Sequence, residues 1–163
     1  VVQDSAVDLD ARVERVRMAY EAIHAPLWRA VLAYSGSSDV ADEAVAEAFA
    51  QLLRRGLGVD DPAAWAWRSA FRIAAGELKR RGGAPVPGAV PDIAVSVPEP
   101  ALDLIAALHH LTDQQRACVV LCDLAGHPAP EAARWLNTTA ATVRVQRMRA
   151  RRRLRDLLED PDA

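Results

Sequence analysis

The chain has 163 residues, 51% of them apolar, with 20 basic and 22 acidic side chains and a net charge of −2. That length suits one ordinary domain or two small ones, and no apolar run approaches the roughly 20 residues of a membrane span. The near-neutral total conceals a pattern. Residues 62–81 and 144–163 are basic while 1–61 and 82–143 are acidic, which suggests two separate contacts with a polyanion rather than general stickiness.

Alanine and leucine dominate and β-branched runs are few, so every element is predicted to be helical. Val1–Val2–Gln3–Asp4 lacks the basic and apolar regions of a signal peptide. Residues 9–24 carry Val13, Val16, Ala19 and Ile23 as an apolar stripe, predicted to break before Pro26, where a second helix over 26–34 begins with Leu27, Trp28, Val31 and Leu32. Ser38 is the expected cap of a third helix over 39–55, closed by Gly56. Val40, Ala44, Val45, Ala48, Phe49 and Leu52 line one side of it; Asp42, Glu43, Glu47 and Gln51 form an acidic and polar face. Asp39, Asp42 and Glu43 also suit the positive end of the helix dipole.

A fourth helix is expected from Pro62, capped by Asp61, through Arg81. Aromatic residues are scarce in this chain, yet Trp65, Trp67 and Phe71 crowd here beside Arg68, Arg72, Lys79, Arg80 and Arg81. Aromatic faces interleaved with guanidinium groups are a means of holding single-stranded nucleic acid. Residues two apart on a helix point apart, so Trp65 and Trp67 are not expected to share one core. Residues 82–100 are rich in proline and glycine and read as an interdomain linker.

Beyond it, Leu102, Ile105, Leu108 and Leu111 mark a helix, and Thr112–Asp113–Gln114–Gln115 is a capping box opening another over 113–125. Cys118 and Cys122, one turn apart in an apolar run, are expected to be small core residues in a reducing, cytoplasmic setting. Their spacing to His109 and His127 is not that of a zinc module. Gly126 closes this helix, a short one follows over 131–136, and Asn137–Thr138–Thr139 is a turn. A long helix then starts at the Thr139 cap, with Val143, Ala150 and Leu154 on one face and Arg144, Arg147, Arg149, Arg151, Arg152, Arg153 and Arg155 around it. A short helix, a three-residue turn and a long basic helix make a helix-turn-helix, which lays its second helix in the major groove. By that geometry Arg144 and Gln146 are expected to reach base edges or the phosphates beside them, while Arg149 and Arg151 to Arg153 mainly hold the backbone. His24, His109, His110 and His127 are scattered and no glycine-rich phosphate loop occurs, so no enzyme, catalytic residue, metal or cofactor is expected.

The expected fold is therefore all-α: two small helical domains, 1–81 and 101–163, joined by a Pro/Gly-rich linker at 82–100, the second with a helix-turn-helix. This arrangement resembles the extracytoplasmic-function (ECF) sigma factors of bacterial RNA polymerase over nearly the whole chain. Residues 111–153 resemble the family's sigma-four domain, 42–49 its polymerase-binding helix in the sigma-two domain, and 65–81 its promoter-melting helix. Arg147 stands where a leucine is usual, Ala46 replaces a glutamine, and Gly76 interrupts the melting helix. The resemblance implies that Asp42, Glu43, Glu47 and Gln51 dock on core RNA polymerase. It implies that Trp65, Trp67, Arg68, Arg72, Lys79 and Arg80 read the minus-ten strand. Thr138, Thr139, Thr142, Arg144, Gln146, Arg147 and Arg149 would read the minus-thirty-five element of promoter DNA. It also leaves room for an anti-sigma factor as a partner. The competing expectation is a helix-turn-helix regulator that acts on duplex DNA without polymerase.

Overall fold

A computed structural model describes residues 2–83 and 98–159, with side chains from residue 8 onward except Leu57. The described elements are helical: α1 (Val2–Ser35), α2 (Ser38–Arg55), α3 (Pro62–Arg80), α4 (Glu99–Leu108), α5 (Asp113–Val119), α6 (Ala129–Trp135) and α7 (Ala140–Glu159). Most of the expected linker lies outside the described residues; α4 begins inside its C-terminal end, at Glu99.

The predicted break at Pro26 is not there, and α1 runs through it. Pro26 has no N–H for the carbonyl of Ala22. Ala22 and Ala25 lie on the exposed side of the helix, where the freed carbonyl faces solvent, while Leu27 and Val31 remain fully buried. Packing on one side thus outweighs one backbone bond on the other.

Gly36, at φ 68°, turns the chain from α1 into α2. A β-carbon there would collide with the His109 ring from the other end of the chain, so the turn suits only glycine. The cap of α2 is Ser37 rather than Ser38, its hydroxyl accepting the Val40 N–H at 3.4 Å. Asp61 caps α3 as expected, accepting the Ala64 N–H at 2.9 Å, with Pro62 in the first turn.

α1, α2 and α3 pack on one another through Leu27, Val31, Val40, Val45, Leu52, Ala66, Ala70 and Ala74. In the C-terminal half α5 and α6 pack on α7 around Cys118, Leu121, Ala132, Val143 and Ala150. The capping box of Thr112 and Gln115 is present in both directions. The helix expected over 113–125 changes character at Val120: Val120–Leu124 is a π-helical turn, closed by the Ala125 N–H on the Val120 carbonyl at 2.9 Å. A π turn widens the helix by one residue and re-aims the side chains after it.

The buried apolar side chains of the two halves are continuous. Arg116, only 1% exposed, lies 5.1 Å over the ring of Tyr34 and pairs with Asp113 at 2.6 Å. Across the same seam Trp67 of α3 stacks on Trp135 of α6, ring centres 5.6 Å apart and planes 5° from parallel. His127 meets both rings edge-on at 4.4 and 4.6 Å.

Candidate nucleic-acid and protein-docking surfaces

α7 starts where the sequence places it. Asn137 adopts φ 52°, a left-handed conformation that asparagine tolerates in tight turns. The Thr139 hydroxyl accepts the Thr142 N–H at 3.1 Å, and the two threonine hydroxyls lie 2.9 Å apart. Thr139 and Thr142 therefore serve the helix start first. Thr138 is half-buried, its N–H on the Ala133 carbonyl.

Val143 and Ala150 are buried, Leu154 is half-buried, and the arginines divide into two sets. Arg147 and Arg151, one turn apart, turn toward the π turn and share Asp123. Arg147 donates its Nε to both carboxylate oxygens at 3.0 Å and a terminal nitrogen at 2.6 Å. Arg151 donates its Nε at 3.2 Å and makes a second, closer contact. Burial opposes the charge of Asp123, but the bonds from Arg147 and Arg151 prevail and hold the carboxyl below its usual range. Arg144, Arg149, Arg152, Arg153 and Arg155 are exposed and make no ion pair among the described residues. Gln146 is half-buried on the flank. Arg147, aligned with the apolar stripe in the sequence, is thus engaged by an acid; the lone carboxylate in the apolar run 117–124 is the signal for it.

On α3 the two tryptophans part as their spacing requires. Trp65 is half-buried beneath the Arg55 guanidinium, 5.8 Å away. Trp67 is 4% exposed and covered by Trp135 and His127. Arg68 and Lys79 point to solvent, and Arg72, also exposed, donates to the Gln51 side-chain oxygen on α2 at 3.5 Å. Arg80 and Arg81 both pair with Glu77, itself buried, so Arg80 is partly neutralised. The partnership with Trp135 and His127 joins residues more than fifty positions apart and has no local sequence signal.

On α2 the acidic face is continuous, since Glu43, Glu47 and Gln51 follow one another at four-residue spacing with Asp42 beside them. Asp42 and Glu43 are exposed. Asp42 accepts the indole N–H of Trp28 at 2.7 Å. Glu47 accepts from Gln51 at 2.8 Å and from Arg54 at 2.7 Å; the Gln51 bond leads the two in keeping this carboxyl below its usual range.

Cys118 and Cys122 are free and buried in the core; burial pushes the Cys118 thiol up to about 11, far from a reactive thiolate. Among the described residues no cluster of His, Cys, Asp or Glu forms a metal cage, and no helix is long and apolar enough to cross a membrane.

Comparison with known proteins adds a family match in the C-terminal part and a shared fold. Residues 101–154 match the family described as Sigma-70, region 4. No curated protein sequence matches the chain. Among solved structures, CnrH in complex with the cytosolic domain of CnrY superposes with a TM-score of 0.73 at 22% identity, over 97% of this chain and 96% of that one. The sigma factor RpoE of Bartonella quintana, in complex with the anti-sigma factor NepR, gives 0.69 at 19% identity over 88% and 96%. The extracytoplasmic function sigma factor SigJ of Mycobacterium tuberculosis gives 0.63 at 24%, over 83% of this chain and 52% of SigJ.

Proposed function

We infer that the chain is an extracytoplasmic-function sigma factor, a subunit that brings core RNA polymerase to promoter DNA and directs transcription initiation. The single observation that carries this is the region-4 match over residues 101–154, coinciding with a capped second helix whose exposed sides carry five arginines that make no ion pair among the described residues. The shared fold over nearly the full chain accords with it. The role is one of binding, without chemistry of its own, and its site is the bacterial cytoplasm.

We propose three surfaces. The α2 face of Asp42, Glu43, Glu47 and Gln51 docks on polymerase; its carboxylates outnumber the one arginine that reaches them. The α3 face takes the minus-ten strand through Trp65, Arg68, Arg72, Lys79 and Arg80. In the arrangement seen, Trp67 is covered by Trp135, so it joins that surface only after the two halves separate. α7 takes the minus-thirty-five duplex through Thr138, Thr139, Thr142, Arg144, Gln146 and Arg149, with Arg147 acting from the flank through its long stem. The working division is 1–81 and 101–163 with a connection at 82–100. RpoE and CnrH are seen with NepR and the cytosolic domain of CnrY; we propose a partner of that kind, an anti-sigma factor, for this chain.

The test is reconstitution. Purified chain and core polymerase should co-elute, and the pair should initiate from a subset of a promoter library that neither recognises alone. Sequence-selective binding to duplex DNA with no gain on adding polymerase would instead mark a plain helix-turn-helix regulator.

A further inference from the structure

The outer crest of α7 is apolar. Ala141, Val145 and Met148 follow one another at helical spacing opposite the buried Val143 and Ala150, and all three are exposed, Val145 at 42% and Met148 at 64%. The five unpaired arginines Arg144, Arg149, Arg152, Arg153 and Arg155 flank or continue this row. The Asp123 clamp on Arg147 and Arg151, together with the buried Val143 and Ala150, holds α7 so that this row points away from the core.

We propose that Val145 and Met148, with Ala141, are specificity-determining residues that read the 5-methyl groups of thymines in the major groove. This rests on the reading of α7 as a duplex-binding helix. The groove edge of an A·T pair offers one apolar group, the thymine methyl, and apolar side chains are its natural contacts. The crest lies where a helix in the groove meets base edges, while the arginines beside it are placed for phosphates. A protein-docking patch is ordinarily broader than one row of three side chains and is poor in charge at its centre. This row is narrow and walled by unpaired cations, which complement a polyanion.

The probe is a set of duplexes recovered from a randomised pool by the full chain with core polymerase, then resynthesised with deoxyuridine replacing one thymidine at a time. Only the methyl is lost. Binding should weaken about four-fold at each position where a methyl is buried against the crest. Met148→Gln and Val145→Ala should bring the thymidine-to-uridine ratio toward one at those positions while the helix content of the free protein is unchanged. Arg149→Ala should weaken both duplexes alike and leave the ratio intact. A ratio of one at every position for the unaltered chain would overturn the proposal while leaving duplex recognition standing; a crest that serves protein docking gives this result. A ratio that the Val145 and Met148 substitutions leave unchanged would overturn it too. Failure to recover any selective duplex would overturn it together with the reading of α7.

Discussion

The carboxylate of Asp123 faces two guanidinium groups one helical turn apart and, with the buried Val143 and Ala150, ties α7 to the core. An exposed ion pair contributes up to ~1 kcal/mol and loss of one partner of a buried pair costs about 3–5 kcal/mol. This half-buried fork lies between, and Asp123→Ala should lower unfolding stability by about 1–3 kcal/mol, measured by urea denaturation. It should also release Arg147 and Arg151 toward DNA, steepening the salt dependence of duplex binding by one to two phosphate contacts if both engage. A second residue with a strong environment is His109. It is buried with neither ring nitrogen hydrogen-bonded among the described residues; burial and, after it, the charge of Arg116 pull its pKa down to about 4. The folded protein therefore resists protonating it while the unfolded chain takes a proton near pH 6.5. Stability from this residue is complete above pH 6.5 and falls as pH drops toward 4, by on the order of 1–3 kcal/mol. Thermal unfolding from pH 7.5 to 4.5 checks it. Replacing His109 with a neutral aromatic of similar size should flatten the slope.

At the level of elements, two of the three proposed surfaces, those on α7 and α2, each have a clean lever. Thr139→Ala removes the cap and should cost about 1 kcal/mol, with Thr139→Ser restoring most of it; thermal unfolding followed by helix content measures both. On α2, Glu43 has no partner among the described residues, whereas Asp42 holds the Trp28 indole. Glu43→Lys should thus weaken binding to core polymerase without moving the unfolding midpoint, and Asp42→Lys should change both. Polymerase affinity undiminished in both variants would remove α2 from the docking surface. Caps were the most legible part of the fold, because Asp61, Thr112, Gln115 and Thr139 bond within three residues of themselves. The continuity of α1 through Pro26 was not legible: the local cost of proline is visible in the sequence, the tertiary packing that offsets it is not. The same limit hid the π turn at Val120–Leu124 and the Asp123 fork, which depends on a helix more than twenty residues downstream.

For the whole molecule, the seam between the halves decides what is available. The family resemblance sets Trp67 beside Trp65 on the strand-reading face, yet Trp67 is buried against α6 by residues no local pattern connects to it. Trp67→Ala should therefore cost about 3–5 kcal/mol as a core truncation. Trp65→Ala is the fair test of strand capture: it should lose ~1–3 kcal/mol of open-complex stability if a base stacks there, with closed-complex binding unchanged. Burial leads in lowering the pKa of His127, with Glu131 opposing, so acid disfavours the ring's place against Trp67 and Trp135.

That aromatic stack also makes the molecule its own gauge. Of its four tryptophans, Trp28 and Trp65 sit within the N-terminal half, whereas Trp67 and Trp135 lie nearly parallel across the seam with an imidazole at their edges. Two indoles at this separation couple their electronic transitions, so the near-ultraviolet circular dichroism of the free chain should contain a paired indole band that disappears when the halves part. Trp135→Phe would erase the band in the closed protein, and the intrinsic emission of Trp67 would then report opening on polymerase or an anti-sigma factor with no dye attached.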